Sequence, residues 1–182
     1  MKKGIRVAKK QLEKFDKYKY YGMAVQSPDE DVRFLKRVYK KATGKEPKTM
    51  REDFCAAFSI CCAWARLGQD KQAIGVDLDK EPIEYGKKHH LSQLLLDQQK
   101  RVKLLEANVL SSDLPKADII CALNFSYFGF KDRKTLKEYF ISARQSIANG
   151  GVLVLDCFGG SECTQPNEEE IEHEDNGFSY FW

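Results

Sequence analysis

Residues 50–79 decide the fold. They begin with Met-Arg-Glu-Asp-Phe-Cys-Ala-Ala-Phe at 50–58 and end with Ala-Ile-Gly-Val-Asp-Leu-Asp at 73–79. The stretch predicts a strand, a tight turn, an apolar helix that stops at a glycine, and a second strand that ends in an acid. This order is typical of the first half of a nucleotide-binding α/β sheet, in which the turn and the helix N-terminus face the ligand. The predicted bounds are 48–54 for strand one, 56–67 for the helix and 72–78 for strand two.

The rest of the chain continues this alternation. Apolar runs predict strands at 102–107, 119–123 and 152–157, and amphipathic patterns predict helices at 5–20, from 28 up to the glycine at 44, after 79, and at 131–148. The expected fold is α/β, with a Rossmann-like, doubly wound, mainly parallel sheet and N-terminal helices. The Asn-Gly-Gly at 149–151 should end the last helix, and the acidic stretch after residue 161 should be a mobile loop.

The strongest helix start is Ser27-Pro28-Asp29-Glu30. Serine is a favoured N-cap, proline suits the first helical position, and Glu30 would complete a capping box with Ser27. The buried stripe of this helix is predicted to be Val32, Leu35, Val38, Tyr39 and Ala42.

Charge is unevenly distributed over the 182 residues, whose net charge is +3. Residues 1–51 hold 16 Lys and Arg against 6 Asp and Glu, whereas residues 52–182 hold 14 against 21. We expect a basic helical cap at 1–47 that packs on a core domain at 48–182, the two forming one compact unit. The cap could bind nucleic acid or another anionic partner, but no aromatic-Arg recognition motif accompanies it, which favours an ordinary solvated surface.

The six cysteines follow no metal-binding spacing, so no metal site is expected. Cys61, Cys62, Cys121 and Cys157 are instead expected to be small buried side chains. The chain has no apolar run of about 18 residues or more, and its Lys-rich start lacks the apolar stretch of a signal peptide. These features predict a cytoplasmic protein without a membrane span.

Four motifs resemble those of a group of class I S-adenosylmethionine-dependent methyltransferases of the REDFC type, which are mostly known as predicted enzymes. They are Arg-Glu-Asp-Phe-Cys at 51–55, Gly-Val-Asp-Leu-Asp at 75–79, Ala-Leu-Asn-Phe-Ser-Tyr-Phe at 122–128 and Gly-Gly-Val-Leu-Val-Leu-Asp at 150–156. The resemblance covers nearly the whole chain. In the family, Gly-Thr usually stands where this chain has Ala56-Ala57, and alanine reaches a positive φ less easily than glycine.

The resemblance implies a site for S-adenosylmethionine at the end of strand one, which is unusually polar for a central parallel strand. Glu52 or Asp53 is expected to contact the amino group of the methionine moiety, and Cys55 and Ala56 to border the cofactor. For Asp53, capping of the following helix is an equally weighted alternative.

Asp77, the terminal acid of strand two, is expected to bind the ribose hydroxyls, with an ordinary surface acid as the alternative. Leu78 would then lie against the adenine ring. Asn108 and Val109 follow strand three, where the family places a polar side chain next to the adenine amino group.

Strand four ends at Asn124, which is expected to contact the cofactor and, together with Tyr127, to orient the methyl acceptor. Phe125 and Phe128 could lie near the cationic sulfur, because aromatic faces attract cations. The alternative for each ring is that it packs under the next helix.

These features favour transfer of a methyl group from S-adenosylmethionine to an acceptor that the sequence does not identify. The alternative, motivated by Ala56-Ala57, is a cofactor-binding protein without catalysis, a degenerate or truncated methyltransferase that binds a partner through its basic surface. A nicotinamide-dependent oxidoreductase is a weaker hypothesis because no G-x-G-x-x-G follows strand one.

The last five residues, Phe-Ser-Tyr-Phe-Trp at 178–182, begin an aromatic strand, whereas the family continues with further antiparallel strands that border the acceptor site. The C-terminal strands are therefore expected to be incomplete, and the 178–182 edge to promote self-association. The alternative is a complete chain whose N-terminal helices close the site.

Overall fold

A sheet of five parallel strands organises the computed structural model, which describes residues 15–161, 163–166 and 168–181. The helices are α1 (Lys17–Val25), α2 (Pro28–Thr43), α3 (Ser59–Arg66), α4 (Lys80–His89), α5 (Leu96–Gln99) and α6 (Arg133–Ser146). The strands are β1 (Thr49–Asp53), β2 (Gln72–Asp77), β3 (Val102–Glu106), β4 (Ala117–Ala122), β5 (Ile147–Leu155), β6 (Glu170–His173) and β7 (Phe178–Phe181). Short 3₁₀ helices occupy Leu91–Gln93, Ser126–Gly129 and Glu174–Asn176.

The main sheet has the order β3-β2-β1-β4-β5, and all of its neighbouring strands are parallel. The order reverses between β1 and β4, and in doubly wound sheets ligands bind outside the carboxyl ends of the strands at such a switch point. Glu52, near the end of β1, is level with Gly75 of β2 and Cys121 of β4. The predicted α/β, doubly wound, parallel fold is confirmed.

Helices cover both faces of this sheet. On one face α2, α3 and α4 contribute Leu35, Trp64 and Ile83 to a core that also contains Met50 of β1. On the other face Tyr139 of α6 packs in a second core cluster with residues of β2 and β4. Side chains alternate along a strand, so successive residues of β1 enter different cores.

Helix α2 begins at Pro28, as predicted, but the predicted capping box does not form. Within the described residues the Ser27 side chain makes no capping hydrogen bond, and its backbone carbonyl accepts bonds from the amides of Glu30 and Asp31. The Glu30 carboxylate pairs instead with Arg33, one turn along the helix. Of the predicted buried stripe, Val32, Leu35 and Tyr39 are buried, Val38 is half-buried and Ala42 is exposed.

Strand β5 begins at Ile147, directly after α6, so the prediction that 149–151 would end the helix is wrong. Gly151 lies inside the strand, where a Cβ would be 2.7 Å from the carbonyl oxygen of Asp118. The register with β4 also shifts between Ala117 and Ile119. The glycine therefore allows close approach of two strands rather than a helix stop.

The C-terminal region forms a separate two-stranded antiparallel sheet of β6 and β7. The prediction of a mobile loop after residue 161 is wrong for β6, because Ile171 pairs with Tyr180. The strand predicted to start at Phe178 is present and has a partner, although Trp182 lies outside the described residues. The Phe178 ring also packs edge-on against Tyr20 of α1, with 5.0 Å between the ring centroids.

Helix α1 has Asp16 as its N-cap, and the part of the predicted 5–20 helix before residue 15 lies outside the described residues. Cys61, Cys62 and Cys121 are buried, as predicted. Cys157 is exposed, because it lies beyond the end of β5. Among the described helices, none is long and apolar enough to cross a membrane.

Candidate functional site

Asp77 connects the turns that follow β1 and β2. Its Oδ2 atom accepts a 2.8 Å hydrogen bond from the backbone amide of Ala56, and its Oδ1 atom accepts one of 2.9 Å from the amide of Asp79. The carboxylate is half-buried at the carboxyl end of β2. Asp77 therefore lies at the edge of the sheet where ligands bind in this class of fold, and it fixes the turn beside it.

The turn between β1 and α3 contains three residues with positive φ, namely Phe54 at 60°, Ala56 at 44° and Phe58 at 48°. The left-handed conformation costs an L-residue about 1–2 kcal/mol. Ala56 thus adopts the backbone conformation that glycine would reach without strain. The helix predicted to start at 56 begins at Ser59 because residues 54–58 form this turn.

Close contacts brace the turn from two sides. A Cβ on Gly86 of α4 would lie 2.3 Å from the Ala57 carbonyl oxygen and 2.5 Å from the Phe58 ring. Beneath the turn, the Cys55 amide donates a 3.1 Å hydrogen bond to the Val76 carbonyl, and the Cys55 side chain is buried. Cys55 therefore anchors the turn in the sheet, and these contacts hold its strained backbone in place.

Glu52 and Asp53 are neighbours with different surroundings, because they lie on opposite faces of β1. Glu52 is only 4% exposed and accepts a 3.1 Å hydrogen bond from the Cys61 thiol. Burial raises the pKa of Glu52 to about 8, and the nearby carboxylates of Asp31 and Asp77 act in the same direction. Glu52 is therefore close enough to Asp77 for the charge of Asp77 to raise its pKa.

Asp53 forms a buried ion pair on the α6 face. Its carboxylate accepts hydrogen bonds from Arg51 Nε at 2.8 Å and from the Tyr139 hydroxyl at 3.1 Å. The Arg51 and Asp53 side chains both belong to β1 and are fully buried, and the hydrogen bond from the Tyr139 hydroxyl ties this pair to α6. The alternative expectation, that Asp53 caps the following helix, is wrong, because Phe58 occupies the N-cap position of α3.

The three residues expected near adenine differ in exposure. Leu78 is 65% exposed, and Asn108 is exposed with its Oδ1 accepting a 2.9 Å hydrogen bond from the Leu110 amide. Val109 is buried in the core beneath α6, and its carbonyl accepts a 2.8 Å bond from the Ser142 hydroxyl. Leu78 and Asn108 are therefore accessible to a ligand, whereas the Val109 side chain is a core element.

Asp156, which follows β5, organises the segment after β4. Its carboxylate accepts hydrogen bonds from the amides of Asn124 at 2.7 Å and Phe125 at 2.9 Å, and both of these residues have positive φ. The Tyr127 hydroxyl donates a 2.9 Å hydrogen bond to the Asp156 carbonyl. Asp156 was not predicted as a site residue, although it directly follows an apolar strand much as Asp77 ends one, and that pattern could have identified it.

Aromatic rings surround this segment. Phe125 lies 6.0 Å from both Phe128 and Phe158, measured between ring centroids. Phe128 is 41% and Phe158 60% exposed. Phe128 is therefore not covered by the following helix, and the rings form an accessible apolar rim beside Asn124.

Carboxylates from several elements border the same edge of the sheet. Asp31 of α2 is half-buried, and burial raises its pKa, with a further contribution from the charge of Asp156. The charges of Asp31 and Asp77 in turn contribute to the raised pKa of Glu52. This concentration of negative charge favours a ligand that carries positive charge.

No protein-family model matches the sequence, and no curated protein matches it. Solved structures do match. S-adenosylmethionine-bound CalS10, an amino pentose methyltransferase from Micromonospora echinaspora, is 15% identical with a TM-score of 0.67, over 88% of this chain and 65% of that one. The sugar N-methyltransferase KedS8 from Streptoalloteichus sp ATCC 53650 is 16% identical with a TM-score of 0.66, over 96% of this chain and 67% of that one.

The glycopeptide N-methyltransferase MtfA, in complex with S-adenosylmethionine, is 14% identical with a TM-score of 0.61, over 87% of this chain and 67% of that one. The matched region thus spans about two thirds of these structures. At such low identity, the likeness shows a shared fold.

Proposed function

We propose that the chain binds S-adenosylmethionine at the carboxyl ends of β1, β2 and β4 and transfers its methyl group to an acceptor. The observation that carries this proposal is the position of Asp77, at the end of β2 and bonded to the Ala56 amide of the turn after β1. A ribose-binding acid in a nucleotide-binding sheet occupies this place. The sequence motifs, together with the S-adenosylmethionine complexes of CalS10 and MtfA, support the same cofactor.

Each part of the cofactor has a counterpart among the residues present. Asp77 would accept hydrogen bonds from the ribose hydroxyls, and the exposed Leu78 and Asn108 would border the adenine. The turn at Ala56 would border the methionine moiety, whose amino group would lie near Glu52. Val109 would contribute through its backbone, because its side chain is buried.

The charge of the site fits this ligand. The cofactor carries positive charge at the sulfonium and at the amino group, and the carboxylates of Glu52, Asp77 and Asp31 lie together at this edge. A nearby cation favours the ionised form of a carboxyl group. Cofactor binding would therefore lower the pKa of Glu52 from about 8 and release part of a proton.

The bound cofactor supplies an activated methyl group. The contribution of this chain is to align an acceptor, and alignment alone can supply much of a rate enhancement. Asn124 and Tyr127 would do so from the segment that Asp156 holds, beside the apolar rim of Phe125 and Phe128. Asp53 is left out of this site because Arg51 and Tyr139 occupy its carboxylate.

The proposed function is methyl transfer rather than cofactor binding without catalysis. The non-catalytic alternative is motivated by Ala56, because alanine reaches the positive φ of a cofactor-binding turn less easily than glycine. Ala56 has φ 44°, so it adopts that conformation. Membership of the REDFC-type family rests on the motif resemblance.

Other expectations stay predictions from sequence: a cytoplasmic location, self-association through the 178–182 edge, and the less favoured binding of nucleic acid by the basic helices. The division into a cap at 1–47 and a core domain at 48–182 is likewise a prediction.

A ligand panel tests the proposed function. Thermal unfolding is followed with S-adenosylmethionine, S-adenosylhomocysteine, NAD and ATP, and a ligand at 100 times its Kd raises the unfolding free energy by about 2.7 kcal/mol. We expect stabilisation by the first two compounds only. Methyl transfer is then measured with methyl-labelled cofactor and a cell extract as the source of acceptors. Stabilisation by NAD alone, or by none of the four, would contradict the proposal.

A further inference from the structure

A cavity of about 570 Å³ lies between α1, the start of α3 and the end of α4. Ala56 and Ala57 form one wall, whereas Asp77 and Asn124 are not among its lining residues. The volume is typical of small-molecule sites. We propose that this cavity binds a small molecule with a flat aromatic ring and one phosphate or carboxylate group.

The aromatic wall of the cavity is preassembled. The Tyr85 ring stacks on His89 with 4.1 Å between centroids and an interplanar angle of 17°, and Tyr18 lies 4.8 Å from Tyr85. The Tyr85 hydroxyl donates a 3.0 Å hydrogen bond to Asp16, which fixes the orientation of the ring. A rigid stack of this kind provides a flat surface for a further ring.

Two basic side chains, Arg66 and Lys19, and the imidazole of His90 line the cavity next to this wall. Burial lowers the pKa of the half-buried His90, and the charges of His89 and Arg66 lower it further. Arg66 pairs with Asp29 at 2.9 Å, but a guanidinium has five N–H donors and keeps some for a second anion. A phosphate or carboxylate between Arg66 and His90 would relieve the repulsion that His90 experiences.

Among the described residues that line the cavity, Asp16 alone is acidic, and its carboxylate accepts three hydrogen bonds. It accepts hydrogen bonds from the amides of Tyr18 at 3.1 Å and Lys19 at 3.0 Å, in addition to the Tyr85 hydroxyl. These bonds lower the pKa of Asp16 against the opposing effect of burial. Asp16 therefore caps α1 and holds Tyr85 in place.

The cavity is structurally linked to the turn beside Asp77. The Ser59 hydroxyl donates a 2.8 Å hydrogen bond to Gln26 and so connects the start of α3 to the residue that follows α1. Ala56 lines the cavity and also donates its amide to Asp77. A ligand in the cavity would therefore contact the turn that borders the proposed cofactor site.

The experiment uses phenyl phosphate as the probe. The readout is the imidazole NMR signals of His89, at the end of α4, and of His90, its C-cap. Titration is done with S-adenosylhomocysteine present in excess and again without it. We expect saturable shifts of the His89 and His90 signals in both series. Inorganic phosphate and phenol, which each lack one half of the proposed ligand, should bind about tenfold more weakly or worse.

Two site variants and a surface control complete the test. His90→Gln and Arg66→Gln should each weaken phenyl phosphate binding by about tenfold. Arg133→Gln, on the exposed surface of α6, should leave it unchanged. If Arg66→Gln does not fold, Arg66→Lys keeps the charge and should retain part of the affinity.

Absence of imidazole shifts, equal binding of inorganic phosphate, equal loss in the Arg133→Gln control, or displacement of the probe by S-adenosylhomocysteine would each overturn the inference. Failure of S-adenosylhomocysteine itself to bind would count against the proposed function and leave the probe titration interpretable.

Discussion

The carboxylate of Asp156 accepts a 2.7 Å hydrogen bond from the backbone amide of Asn124. Asn124 has φ 54° and the next residue, Phe125, has φ 55°, and both amides bond to the same carboxylate. Left-handed residues of this kind cost about 1–2 kcal/mol each and persist where the surroundings hold them. Asp156 therefore keeps the end of β4 in the conformation that presents Asn124 at the rim.

Asp156→Asn should lower the free energy of unfolding by about 1–3 kcal/mol, because an amide group cannot accept both backbone bonds and its NH₂ group would face a donor. Urea unfolding measures the change. Asp113→Asn, at an exposed position, is the matched control and should be neutral within about 0.5 kcal/mol. Equal unfolding midpoints for both variants would show that Asp156 does not hold this segment.

Two helical glycines should respond oppositely to alanine. Gly86→Ala inserts a methyl group 2.3 Å from the Ala57 carbonyl, so it should destabilise the protein by about 1–3 kcal/mol and weaken cofactor binding at the turn. At Gly22 in α1 a Cβ meets nothing within 4 Å, so Gly22→Ala should stabilise by about 0.5–1 kcal/mol. Thermal unfolding of both variants tests this pair, and stabilisation by Gly86→Ala would refute the bracing of the turn by α4.

Ala56→Gly should relieve strain. Glycine reaches positive φ without cost, which offsets the greater flexibility it gives the unfolded chain, so we expect a neutral to stabilising effect of up to about 1 kcal/mol. Ala57 is not among the residues with positive φ, and Ala57→Gly should destabilise by about 0.4–1 kcal/mol. Chemical unfolding of the two variants measures the difference, and an equal loss in both would exclude a left-handed Ala56.

Glu52 should make stability depend on pH. Its pKa is about 8 in the folded protein, above the ordinary value of 4.5, so the folded state keeps a proton that the unfolded state releases. The associated stability is present below about pH 4.5 and is lost as the pH rises towards 8. We therefore expect the unfolding free energy of the native protein to fall over this range more steeply than that of Glu52→Gln.

Unfolding midpoints are measured at intervals from about pH 5 to 8 for the native protein and for Glu52→Gln. They give the slope of the unfolding free energy against pH for each protein. Glu106→Gln, at an exposed site on β3, should keep the native slope. A slope unchanged by Glu52→Gln would mean that Glu52 is ionised in the folded state.

Local patterns predicted the elements whose residues interact mainly with near neighbours in the chain. The start of α2 at Pro28 follows from the preference of proline for the first helical turn, and the alternation of strands up to β4 follows from apolar runs. The conformation of Ala56 could not be predicted this way, because it depends on a hydrogen bond to Asp77 that only the folded sheet brings into reach. Asn124 depends in the same way on Asp156.

The start of β5 and the existence of β6 were also missed for tertiary reasons. From the sequence, Gly151 predicts the end of a helix. In the structure it lies in β5 and allows that strand to approach β4 closely. The residues of β6 are acidic and resemble a loop, yet they pair with the aromatic strand β7. Of the candidate site residues, Asp77 and Asn124 lie at strand ends as the sequence indicated, whereas Asp53 is held in an ion pair that sequence alone did not reveal.

The most direct test of the proposed function is calorimetric titration of S-adenosylhomocysteine into the native protein and into Asp77→Ala, with Asp97→Ala on α5 as a surface control. We predict measurable binding to the native protein and to the control. We also predict that Asp77→Ala, checked for folding by thermal unfolding, loses about 1.5–3 kcal/mol of binding free energy, as expected when hydrogen bonds to a charged group are removed. Absence of binding to the native protein, or unchanged affinity in Asp77→Ala, would contradict the proposal.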